Sequence, residues 1–237
     1  MKQTNNAIKF LMAQYRAIFK NANIAMLAAI AASALAAGQA QAAKPFTNTE
    51  LGQLTGEEGT ITIDGKCDGT SNAYQKLTLS GAVAQSSKLE GLTFLIQSGA
   101  ATDNTIKGTG ADAAAIVDLT GATITLDGSA DKANINLAVG NDATNATTLK
   151  VSELNVVKGT LSTVASDSVK NSIEAVNITV GKETGGDADV TVGKSGSVSA
   201  SSKLTINKNS TITIGDSATL TGGIWRSPNM IVITYLR

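Results

Sequence analysis

From Thr60 onward, apolar and polar positions alternate with a period of two, in short runs closed by Gly, Asp or Asn. The runs are TITIDG at 60–65, LTLSG at 77–81, TITLDG at 123–128, NITVG at 177–181, DVTVG at 189–193, LTIN at 204–207 and TITIG at 211–215. Thr alternates with Ile, Val or Leu, which sends aliphatic side chains to one face and hydroxyls to the other. That alternation predicts half-buried β-strands, and the β-branched content suits a pleated surface. The Asp-Gly and Asn closures tolerate positive φ and turn the chain.

The spacing of the runs predicts how they assemble. Val190, Val198, Ile206 and Ile214 fall on one eight-residue step, and Leu204, Ile212 and Leu220 follow the same step out of phase. Regular strand-and-turn units of this kind mark a solenoid or a meander. In a solenoid each turn of chain buries its aliphatic face on its neighbours and is unstable alone. A parallel β-solenoid is expected over a sandwich. The turns are rich in Asn, Asp, Gly and Ser, and the prolines, Pro45 and Pro228, lie outside the repeats. Thr and Ile recur so that like side chains can stack, and no Trp or Cys pair is present to pin a sandwich.

This gives an all-β organisation with the repeat region at 60–222, a linker or N-terminal cap at 43–59, and an atypical tail at 223–237. Two stretches fit less well. GADAAAIVDL at 110–119 reads as a short helical turn or a buried strand. SDSVKNSIEAV at 166–176 places Val169, Ile173 and Val176 at helical spacing, yet strand patterning resumes directly after it, and both stretches are expected to be loops or strands within the stack.

Residues 1–42 have a different character. Lys2, Lys9, Arg16 and Lys20 are accompanied by no acidic residue, and an apolar run extends from Ile24 to Ala37. Ala40 and Ala42 fit a cleavage site before Ala43. Basic region, short apolar region and small-residue site together predict a secretory signal peptide recognised by the Sec export machinery. The apolar run is shorter than the roughly 20 residues a spanning helix needs. Phe10, Leu11, Tyr15, Ile18 and Phe19 recur at helical spacing in the long basic region. This layout resembles the extended signal peptides of Gram-negative autotransporters, although their Asn/Lys/Tyr-rich opening with a Trp-Asn pair is absent here.

Composition narrows the function classes. The chain has 19 Lys and Arg and 19 Asp and Glu; without the four basic residues of 1–42, 15 face 19, a net charge of −4. That balance, with no basic cluster, argues against nucleic acid as a partner and against attraction to anionic membranes. The chain has no histidine, which removes Ser-His-Asp and Cys-His chemistry and the commonest zinc ligand. Cys67 is the single cysteine, so no intrachain disulfide forms.

The tail GIWRSPNMIVITYLR holds the one Trp, Trp225, and two of the three arginines, Arg226 and Arg237; no arginine lies between Arg16 and Arg226. So sharp a break is expected from a shifted reading frame or a truncated gene, with a capping strand as the other reading. No run in the chain has the alternating strands and aromatic girdles of a translocator barrel.

Each candidate site has a simpler structural explanation. Asp64-Gly65, Asp68-Gly69 and Asp127-Gly128 raise calcium, but the nearest match to the glycine-rich calcium nonapeptide, GGDADVTVG at 185–193, lacks its third glycine and is not repeated. Asp187 and Asp189 sit two apart, about 7 Å in a strand, inside the spacing a glycosidase needs, but with no Arg or His beside them. Lys194-Ser195-Gly196 is not a phosphate loop. The sequons at Asn145 and Asn177 are chance matches behind a bacterial-type leader. No catalytic, cofactor-binding or metal residue is assigned.

The repeats and leader together resemble the N-terminal part of an autotransporter passenger. The resemblance implies a non-catalytic stalk or adhesin at the cell surface or outer membrane, contacting a host surface, glycan or matrix ligand through rows of polar side chains. The other readings are a secreted carbohydrate-active enzyme on the same fold, and a surface-layer or filament subunit that self-associates through open ends.

Overall fold

The computed structural model describes residues 44–65, 73–97, 100, 103–108, 114–130, 135–141, 145–184, 187–223, 225–226 and 232–235. The signal-peptide assignment and the candidates Cys67 and Asp68 lie outside the described residues. The unit Ala43–Arg237 opens with strand β1 (Pro45–Phe46) and one short helix, α1 (Asn48–Gly52). Thr47 and Glu50 cap that helix reciprocally: the Thr47 hydroxyl binds Glu50, and the Thr47 N–H donates to Glu50 Oε2 at 3.0 Å. Such a capping box satisfies two donors that a helix start leaves unpaired.

After it the described residues form strands and turns, with two single-turn 3-10 helices at Ser87–Leu89 and Gly128–Ala130. In order the strands are β2 (Thr60–Ile63), β3 (Ala73–Tyr74), β4 (Lys76–Ser80), β5 (Thr93–Gln97), β6 (Asn104–Lys107), β7 (Ala115–Asp127), β8 (Asn136–Val139) and β9 (Thr147–Thr163). Then come β10 (Ser172–Val180), β11 (Ala188–Val192), β12 (Ser197–Ile206), β13 (Ser210–Ile214), β14 (Thr219–Gly222), β15 (Trp225–Arg226) and β16 (Val232–Tyr235). The protein is nearly all β, as the alternation predicts.

The strands pair in two series, and every pairing among the described residues is parallel. The first series runs β3-β2-β5-β7-β9-β10-β12, with β14 and β15 both on β12. The second runs β1-β4-β6-β8-β9-β11-β13-β16. Long β9 belongs to both and joins them into one large parallel sheet that is not closed into a barrel. The tail residues of β15 and β16 extend both series at the backbone level.

Register carries the aliphatic residues into columns. Phe94, Ile124, Leu154, Ile178 and Leu204 are successive partners, and all are buried. At about 25 cal/mol per Å² of apolar surface removed from water, such columns are the main favourable term holding strand on strand. Phe46 closes one end edge-on to Tyr74 and Phe94, with ring centroids 4.9 and 5.4 Å away.

Turns inside the stack leave backbone groups unpaired, and buried polar side chains satisfy them. Asn104 accepts the N–H of Leu77 (2.8 Å) and donates to the carbonyl of Asn136 (3.1 Å), so one amide serves strands on both sides. The buried Thr163 hydroxyl accepts the N–H of Gly193 at 2.9 Å, and Thr147 does the same for Gly108 at 2.7 Å.

The two ambiguous stretches are resolved where they are described. Ala115–Leu119 forms the first half of β7, paired to β9. In 166–176 the Ser166 hydroxyl accepts the N–H groups of Ser168 and Val169, which makes a turn and not a helix. Beyond it Ile173 points inward in β10 while Val176 is 41 % exposed, a split that one helical face would not produce.

Candidate functional site

With the aliphatic columns inside, the alternate positions form columns outside. On the first series, Thr123, Glu153, Asn177 and Lys203 are successive register partners, and so are Thr125, Asn155, Thr179 and Thr205. On the second, Thr78, Thr105, Ala138, Ser162, Thr191 and Thr213 make a column of small and mostly hydroxylated side chains. Neighbours in a column stand one strand spacing apart, about 4.8 Å.

The column from Thr125 to Thr205 floors a shallow groove of 450 Å³. The segment after β10 makes its wall, where Gly181 at φ +76° turns the chain outward. Lys182 is braced there by Ser129 (3.3 Å) and Asp127 (4.0 Å), and Glu183 follows it at the rim. Lys203 rises from the adjacent column and has no ion pair among the described residues. Asn177, beside it, donates to Glu153 at 2.6 Å and holds that carboxylate down on the sheet. Among the described residues Val157 is the single aliphatic side chain lining the groove. Polar ligands can therefore be bound here by hydroxyl, amide and ammonium groups.

Two smaller grooves differ in character. One of 310 Å³ lies where Leu51 of α1 meets Val83 and Leu89, and is lined largely by apolar atoms. The other, of 240 Å³, lies at the bend of the first series beside the Lys150–Glu174 pair (3.8 Å).

Among the described residues, those weighed from the sequence lie in turns or on and beside strands, with Asp187 just before β11 and Asp189 two positions on, within it. Asp189 faces outward on β11 with Thr160 and Thr211 as its column neighbours, so no second carboxylate stacks on it. The Asp187 carbonyl accepts the N–H of Gly159 at 3.2 Å. Asp127 accepts the N–H of Ser129 (3.1 Å), the ordinary use of an Asp in a turn. Asp64 lies at the turn after β2, where its N–H donates to Tyr74. Lys194 binds Asp167 at 2.6 Å; that bond raises the lysine above its usual range and lowers the carboxyl. Ser195 turns the chain at φ +59°. Asn145 is buried ahead of β9, and Asn177 is bound to Glu153. Among the described residues no group of three or more potential ligands is placed to hold a metal ion, and no helix is long and apolar enough to cross a membrane.

The groove residues Asn155, Lys182 and Lys203 were not singled out from the sequence. The signal that would find them is the outward position of the Thr-x-Thr repeats, which becomes usable only once the register between strands is known.

Comparison with protein-family models, with curated proteins and with solved structures finds no match.

Proposed function

We propose that the chain is an exported, cell-surface, non-catalytic β-solenoid segment of structural or adhesive role, resembling the N-terminal part of an autotransporter passenger. The observation that carries this reading is the register: strands pair in parallel with strands from neighbouring stretches of chain, and the outward columns are mostly polar, with Leu95 and Ala138 as apolar members. Hydrogen bonds from side chains to residues 24 to 32 positions away tie these stretches together. A solenoid wound this way is a rigid rod with long polar faces, suited to reaching out from a surface and making many shallow contacts. The charged groups support a non-catalytic role, because Asp167, Asp103 and Glu58 are engaged in ion pairs and turns. The basic, apolar and small-residue layout of 1–42 supports delivery by the Sec machinery to the surface or outer membrane of a Gram-negative cell.

Protease treatment of intact host cells tests the reading. The protein is expected to be cut while a periplasmic marker stays whole; protection until the cells are lysed overturns surface display.

A further inference from the structure

The groove over Thr125, Asn155, Thr179 and Thr205 is a built surface whose chemistry selects a class of ligand. Its floor crosses four successive strands, three spacings or about 14 Å. It offers one hydroxyl or amide per spacing, a repeat close to that of one sugar unit in an extended polysaccharide. The floor strands are already paired on both sides, the outer two by β5 at Thr125 and by β15 at Thr205, so a peptide has no edge to join there. A lining with one aliphatic side chain does not suit a lipid. Two ammonium groups and one carboxylate, that of Glu183 at the rim beside Lys182, line the groove. Lys182 is matched by Asp127, whereas Lys203 has no ion pair among the described residues.

We propose that this groove binds an extended, carboxylate-bearing polysaccharide, with successive sugars over the four floor residues and a sugar carboxylate against Lys203. The assignment rests on the surface-display reading and names the ligand of that surface. Hydroxyl and amide side chains bond to sugar hydroxyls as both donors and acceptors, and Lys203 supplies a charge-assisted bond that a neutral glycan cannot use. Among the described residues no aromatic ring lines the groove, so each site binds weakly, and retention of a polymer comes from many sites engaged at once.

The test is binding of the purified full chain to oligogalacturonate, with neutral maltoheptaose as the comparison, for the native protein and for Lys203→Gln and Thr179→Val. Circular dichroism establishes that each variant is folded. The proposal expects oligogalacturonate to bind more tightly than maltoheptaose and to weaken with salt. It expects Lys203→Gln to lower that affinity about fivefold, the scale of one exposed ion pair, and Thr179→Val to lower it as well. Absence of oligogalacturonate binding overturns it, as does binding that both folded variants retain unchanged. Protease accessibility on intact cells judges surface display independently, so the two readings fail separately.

Discussion

The side-chain amide of Asn171 holds the backbone of Asn141, thirty residues earlier, by donating to its carbonyl at 3.0 Å. The same amide nitrogen donates to the carbonyl of Val164 at 2.9 Å, and the Asn171 oxygen accepts the N–H of Thr147 at 3.1 Å. Asn171 is fully buried, so these groups have no water to replace it. Removing the amide leaves several buried polar groups unpaired, each worth about 1–3 kcal/mol. Asn171→Ala is therefore expected to lower unfolding stability by about 3 kcal/mol, read from urea denaturation with an unchanged slope. A loss below 1 kcal/mol contradicts the clasp.

Gly140 is bound to the same feature. It sits at φ +119°, where a side chain is strained, and a Cβ there would overlap the Asn171 amide. Gly140→Ala is expected to cost about 2 kcal/mol or more from strain and overlap together. Because Asn171→Ala removes the overlap, the double variant should be more stable than the sum of the single losses implies. Strictly additive losses would show that the two residues do not meet.

Ser210 presents the opposite case. Its hydroxyl is buried and has no hydrogen-bond partner among the described residues, so it contributes the cost of desolvation without a bond in return. Ser210→Ala is expected to raise stability by about 1 kcal/mol. A loss of that size in thermal or urea unfolding would reveal a partner and count against this description of the corner.

Glu58 makes one part of the fold sensitive to acid. The backbone N–H of Thr55 donates to its carboxylate at 2.7 Å, with the Thr55 hydroxyl and the Gly56 N–H adding to it. The Thr55 N–H bond is the largest cause, and with the others it pushes the carboxyl down from 4.5 to about 2 against the opposing effect of desolvation. The folded value lies below the unfolded one, so the stabilisation is complete above about pH 5 and fades as pH falls through the folded value. NMR titration of the Glu58 carboxyl should give a midpoint near 2. The stability difference between native protein and Glu58→Gln should be constant at neutral pH and vanish toward that midpoint; a midpoint near 4.5 would contradict the turn.

The strands were legible because Thr-Ile alternation is a local signal, and the all-β class followed from it. The eight-residue step was legible too, but its meaning was not. Val190, Val198, Ile206 and Ile214 are not partners of one another. Val190 pairs with Ile212, Val198 with Leu220 and Ile206 with Val180. The step carries the chain from β11 through the two halves of β12 to β13, and stacking occurs only after the chain has come round. Turns of unequal length hide that longer repeat, because register partners lie 24 positions apart at Asn177 and Glu153 but 33 apart at Asn104 and Leu137. The groove was illegible for the same reason, since Lys182 and Lys203 become neighbours only through that register. The loop-and-strand reading of 166–176 holds, and the helical spacing there carries no helix because the turn is set by one hydroxyl, Ser166, which a periodicity does not register.

The central claim is that successive stretches of chain stack in parallel, placing Thr179 directly beside Thr205. Parallel neighbours stand about 4.8 Å apart, inside the separation of roughly 4.4–6.8 Å that a disulfide bridges. In a Cys67→Ser background, mild oxidation of Thr179→Cys/Thr205→Cys is expected to give an intrachain disulfide by mass spectrometry. Thr179→Cys/Thr213→Cys, whose second position lies in the other series, should stay reduced. Failure of the first pair to bridge in folded protein, or equal bridging by both pairs, would contradict the stack.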